Sequence, residues 1–397
     1  MGIPDFALLH PGYEAVRGQT IRAFLQSEKP ARAALLGPHL ASMQARMIHS
    51  RPTSRRSWQV ILPFVLFVAL AAGWTALWFH ASSVAQASIA AWRAREAQSG
   101  RLYTCASENL GGYPFRIEVR CTEAGAQMRS ADPPFVVKAK DLLVLAQVYR
   151  PNLLIAEVAA PLTFEAPNGG VSLVADWTLA QTSVRGLPPT PERISLAVDQ
   201  FRLDQKSPAG SQTLLTAKHM ELHVRLDPDS TPGRPVVDLA ARFADAASPA
   251  AGSLMPQPID FEATAVLRGL KDLTPRSLAA LLGQLQAAGG RLEIEHARLR
   301  RGEMIAVGAG SLGLTPQGRL DGTLRVTVTG FDLNVLKPLF PGVTVSGSLA
   351  GMGTSLLGLL GEPAELEGRR AVTMPLRFAD GAVSLGPLAL GRTAPLY

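Results

Sequence analysis

Residues 218–227 read KHMELHVRLD, and their alternation decides the fold class. Met220, Leu222, Val224 and Leu226 fall on one side, and His219, Glu221, His223 and Arg225 on the other. Period two is the mark of extended backbone, because successive strand side chains point to opposite faces. A helix would need its apolar positions three and four apart. The pattern recurs in both directions. In VSLVADWTLA (171–180), Val171, Leu173, Ala175, Trp177 and Leu179 share a face, and in DGTLRVTVTG (321–330) Leu324, Val326 and Val328 oppose Arg325, Thr327 and Thr329. In RISLAVDQFRLDQ (193–205), Ile194, Leu196 and Val198 alternate with Ser195 and Ala197, and the phase slips near Gln200, as a bulge would cause.

Turn-rich breaks separate these runs: PNGG (167–170), GLPPTP (186–191), DPDSTPGRP (227–235) and TPQGRLDG (315–322). With 36 glycines and 30 prolines in 397 residues, the chain has turn residues enough for many strands. The expected class is mainly β with minor α: a large, curved antiparallel sheet with one apolar face. One amphipathic helix is clear. Thr274 can cap it, Pro275 fits its first position, and Leu278, Leu281, Leu282 and Leu285 form a stripe before Gly289-Gly290. Phe331–Phe340 and Thr354–Leu360 are candidates for shorter helical turns.

Upstream of the strands, Trp58 to Phe79 (WQVILPFVLFVALAAGWTALWF) carries no charge over 22 residues. At about 1.5 Å per residue such a helix matches a hydrocarbon core of about 30 Å. Trp58 at one end, and Trp74, Trp78 and Phe79 at the other, suit the two interfaces. Arg51, Arg55 and Arg56 precede the run and hold the N-terminus in the cytoplasm by the positive-inside bias. The domains expected are therefore a basic, flexible cytoplasmic leader (1–57), a transmembrane helix (58–80), a linker (81–97) and a β-rich periplasmic body (98–397). A cleaved signal peptide ending near the Ala85-Gln86-Ala87 triplet is the competing reading, but the apolar run exceeds an ordinary h-region. Met43 or Met47 would give a shorter leader, so the start is open to being over-extended.

The net charge of +7 first suggests an anionic partner. Residues 1–57 hold eight basic and three acidic side chains, whereas the rest holds 31 against 29. The basic excess belongs mostly to the leader, where it sets topology and can touch anionic headgroups. No basic face interleaved with aromatics points to nucleic acid.

Few residues pass as sites. Cys105 and Cys121 bracket SENLGGYPFRIEVR on the exported side, and an even pair in an oxidising compartment reads as a disulfide. The alternative is two unlinked thiols. Gly308, Gly310 and Gly313 spell G-x-G-x-x-G, but Leu314-Thr315-Pro316-Gln317-Gly318 reads as a turn where a dinucleotide site needs a helix. His219, Glu221 and His223 share a strand face at metal-ligand spacing, yet Arg225 continues that face and disfavours a cation. Glu293, Glu295 and His296 raise the same question and get the same answer. No nucleophile elbow, Walker loop or H-E-x-x-H occurs. No catalytic, cofactor-binding or metal residue is expected, and no enzyme.

The span followed by GGYPFRIEVRC (111–121), together with LLGQLQAAGGRLEIEHARL (281–299), GRLDGTLRVTVTGFD (318–332) and DGAVSLGPLALG (380–391), resembles the bacterial family of domain-of-unknown-function 2125. The likeness covers about residues 58–397 and is most specific at GGYPFR between the cysteines. It implies a single-pass protein of the bacterial inner membrane. The DG-x-V-x-LGPL ending is also distantly similar to AsmA-like envelope proteins, whose apolar sheet grooves are associated with lipid handling. The expected role is to shield or pass lipid acyl chains along an apolar β groove. The alternative is an interaction module that holds an envelope protein through the turn Gly112, Tyr113, Pro114, Phe115 and Arg116 or through a sheet edge.

Overall fold

The computed structural model describes residues 57–131, 133–166, 172–186, 191–250, 257–271, 273, 278–330, 361–386 and 388–397. The expected leader, the cap residues Thr274 and Pro275, and the helical turns proposed at 331–340 and 354–360 lie outside them.

Helix α1 spans Ser57–Gln98. The segment 81–97, expected as a linker, is helical throughout, because it is rich in alanine and free of glycine and proline. Burial divides the helix in two. Residues 61–73 are exposed on every side, whereas from Trp74 onward a stripe at Trp78, Ser82, Ala85, Ile89, Arg93 and Glu96 turns inward. That spacing of three and four is one helix face laid along a support.

The support begins with β1 (Arg101–Thr104), β2 (Ser107–Gly111) and β3 (Arg116–Met128), followed by β4 (Phe135–Gln147). Next come β5 (Arg150–Val158), β6 (Leu162–Glu165), β7 (Ser172–Asp176) and β8 (Leu179–Arg185). The long strands are β9 (Arg193–Ser207) and β10 (Gly210–Leu226), then β11 (Val237–Ala246) and β12 (Ile259–Arg268). Helix α2 (Leu278–Ala287) precedes β13 (Arg291–Arg301), β14 (Met304–Leu314) and β15 (Leu320–Thr329). The chain closes with β16 (Glu362–Leu366), β17 (Arg369–Ala379), β18 (Ala382–Leu385) and β19 (Leu388–Arg392). Among the described residues these nineteen strands form one sheet, every pairing antiparallel.

The sheet forks once. From β4 one branch runs through β5 and β8, the other through β6 and β7, and both rejoin on β9. The alternation at 171–180 is therefore two strands in one register on β9, interrupted at Trp177-Thr178. Gln200, where the apolar phase slips, has φ +54° and marks the point at which β9 exchanges β8 for β7. Glu123, with φ +47°, does the same on β3 between β2 and β1.

Burial is concentrated in two places. Leu285 on α2 packs with Val237 and Leu270, and Met374, Phe378, Val383, Leu385 and Leu390 form a second core in β17–β19. Tyr103 stacks on Trp92 of α1 with ring centroids 4.7 Å apart.

Candidate functional site

The GGYPFR motif forms the connection between β2 and β3, and it seats α1. A Cβ on Gly112, whose φ is +95°, would lie 2.7 Å from the Arg116 carbonyl oxygen, so this sharp bend demands glycine. The bend turns the main chain toward the helix. The indole of Trp74 donates to the Pro114 carbonyl at 2.8 Å, and the indole of Trp78 donates to that of Arg116 at 2.8 Å. The hydroxyls of Thr75 and Tyr113 lie 2.8 Å apart. The rings of Trp78 and Tyr113 meet edge to face at 5.4 Å, and Phe115 lies 6.1 Å from Trp74. Trp78 is 7% exposed, the deepest apolar side chain of the helix.

Further along, Arg93 pairs with Glu108 at 2.6 Å, and Glu96 pairs with Arg101. Hydrogen bonding to Arg101 holds the Glu96 carboxyl below the usual carboxylate range. Cys105 and Cys121 form a disulfide that ties the β1–β2 connection to β3, and Arg93 reaches the Cys105 sulfur at 3.6 Å. The turn predicted as a docking point for another protein is thus engaged by the chain's own helix, a contact that period-two reading had no means to see.

The second feature starts at the residue after Arg116. Ile117 pairs with Ala146, which pairs with Leu154, then Val184, Ile194 and Val224 across β3, β4, β5, β8, β9 and β10. The same row continues through Leu239, Ala265, Ile294, Gly310, Leu324 and Leu376 to Leu385. Directly opposed residues in antiparallel strands share a face, so thirteen strands present one apolar line. A parallel line holds Val119, Val144, Ala156, Thr182, Leu196 and Leu222, and continues to Met374. Ile194 is 36%, Leu222 38% and Val224 37% exposed, while the α2 cluster with Val237 and Leu270 reaches Leu226, Leu239, Leu267 and Leu314. Among the described residues, then, the apolar face stands open at Ile194, Leu222 and Val224 on β9 and β10, where a core strand would be covered.

The other face is polar and internally neutralised. Arg225 pairs with Asp238 at 2.5 Å, and Arg268 with Glu293 at 3.0 Å. His219 lies between Asp199 at 2.6 Å and Glu221 at 3.0 Å, with His223 3.9 Å from the same glutamate. This histidine–carboxylate set, read from sequence as a solvated strand face, is a chain of side-chain contacts along that face. Among the described residues no group of three or more metal-binding side chains converges. Gly308, Gly310 and Gly313 all lie within β14, and the turn Thr315–Arg319 follows. Gly310 lets the β14 and β15 backbones approach: its Cβ would sit 2.2 Å from the Thr323 carbonyl oxygen.

At the fork lies a depression of about 560 Å³ lined by Arg120, Asp141, Glu157, Asp176 and Trp177, among others. Sequence reading missed it, because it arises from two strand pairs parting rather than from any motif. Gln181 donates to Glu157 at 2.5 Å, and the Trp177 indole donates to the Val158 carbonyl. Glu157, Asp176, Trp177 and Thr178 thus bond within the fork, and no histidine lines it.

One helix among the described residues is long and apolar enough to cross a membrane. A family model described as an uncharacterized protein conserved in bacteria (DUF2125) matches residues 78–394, from the docked Trp78 through β19. No curated protein and no solved structure matches the chain.

Proposed function

The chain belongs to the DUF2125 family of bacterial proteins, and we propose that it is a membrane-anchored envelope protein whose apolar sheet face shields or passes lipid acyl chains. Helix α1 is the anchor, with the leader in the cytoplasm and the sheet in the periplasm, an oxidising compartment that suits the Cys105–Cys121 disulfide. The observation that carries the reading is the unbroken row from Ile117 to Leu385. It begins one residue beyond the turn that grips α1, so an acyl chain leaving the bilayer beside the helix meets an apolar surface at once. Half-exposed aliphatic side chains lose water when a lipid chain covers them, at about 25 cal/mol per Å². The role proposed is transfer or shelter, not catalysis.

The test compares the full chain with a Leu222→Asp, Val224→Asp double variant, both purified in detergent and extracted for phospholipid. The variant should carry less bound lipid per chain at unchanged far-ultraviolet circular dichroism. Equal lipid in both proteins would contradict the proposal.

A further inference from the structure

The turn that seats α1 leaves its own aromatics bare. Tyr113 is 54% exposed and Phe115 62%, although both touch the helix. Tyr149 joins them. It occupies the tip between β4 and β5, where the Val148 amide donates to the Phe115 carbonyl at 3.0 Å, and it is 60% exposed. Arg116 and Arg150 flank these rings; Arg116 pairs with Glu118 at 2.5 Å and stays 59% exposed. Three large exposed aromatics beside two exposed arginines are an unusual surface for water to cover.

Their height along α1 says what covers them. The turn grips the helix at Trp74, Thr75 and Trp78, inside the last turns of the apolar run that ends at Phe79. From Trp74 to Phe79 is about 7 Å at 1.5 Å per residue. That is about the depth of the headgroup layer bordering a hydrocarbon core. Aromatic rings and arginines are the side chains that favour this layer, the rings at the chain–headgroup boundary and the guanidinium groups at phosphate.

We infer that the 112–116 turn and the Tyr149 tip are seated in the headgroup layer of the bilayer that α1 spans, forming a second membrane contact. The inference rests on the anchoring role of α1 proposed above. It goes further in placing the first strands of the apolar row at the lipid surface, with Phe115 and Tyr149 immersed. The partner is the bilayer interface itself, with zwitterionic and anionic phosphate headgroups against Arg116 and Arg150.

The full chain, with Phe67, Phe115, Tyr149 or Leu396 exchanged one at a time for p-benzoylphenylalanine, is reconstituted into phosphatidylethanolamine–phosphatidylglycerol vesicles and irradiated. Lipid adducts are expected at 67, 115 and 149 and not at 396, which is exposed but lies at the far end of the chain. Adducts at 67 with none at 115 or 149 overturn the interfacial seat and leave the anchor standing. No adduct at 67 overturns the anchor and the seat together. Equal labelling at 396 also overturns the seat, since proximity to the membrane would then not be local.

Discussion

His219 shows how the polar face stabilises itself. Burial alone disfavours the imidazolium, but hydrogen bonds to Glu221 and Asp199 outweigh that and raise its pKa above the ordinary 6.5. Glu221 mirrors this: burial disfavours its carboxylate, yet the hydrogen bond from His219 wins and its pKa falls. Because the folded chain holds the histidine proton more tightly than the unfolded chain, the stabilisation is whole below pH 6.5 and is lost as pH rises through the raised value. A His219→Gln variant should therefore lose up to about 1 kcal/mol at pH 6 and little at pH 9, read by thermal melting. A loss independent of pH would mean the ion pairs contribute nothing. Gly310 makes the complementary point for the backbone. Its φ is +153° and its Cβ would collide with the β15 backbone, so Gly310→Ala should cost roughly 1–3 kcal/mol. At Gly308 the nearest atoms would be 3.5 Å away, so Gly308→Ala should cost much less. Equal losses in chemical denaturation would contradict this account of the glycine motif.

Among the elements, strands and the apolar stretch were legible because each follows from local periodicity: period two over 218–227, and an uncharged run of membrane length. The leucine stripe of α2 was legible for the same reason. What was hidden depends on partners distant in the chain. The fork requires knowing that β7 and β8 lie in register on β9, and the docking of the α1 stripe requires knowing that β1–β3 lie against it. The phase slip at Gln200 was visible, but its cause, an exchange of neighbouring strands, was not. The cysteine pair was readable from compartment and number, and the structure adds what it braces: the strands on which Arg93 and Trp92 rest. With the linked positions 16 apart in sequence, replacing both cysteines by serine should lower stability by about 3 kcal/mol. The fluorescence of Trp78 and Trp92 should report the loosening of helix from sheet before the far strands melt. A single transition shared by all probes would show that the disulfide supports the whole sheet equally.

At the scale of the molecule, a helix of membrane length, a turn that grips it and an apolar line that starts at the grip follow one another in the chain. Under the proposed function this line meets acyl chains while the polar face does not. This is tested most directly by reconstituting the full chain with a phospholipid that carries a photoreactive diazirine at its acyl terminus, and mapping the adducts by peptide sequencing. The account predicts label on Ile194, Leu222 and Val224 and none on the intervening Ser195, Glu221 and His223. Label confined to α1, or spread evenly over both sets, would contradict it.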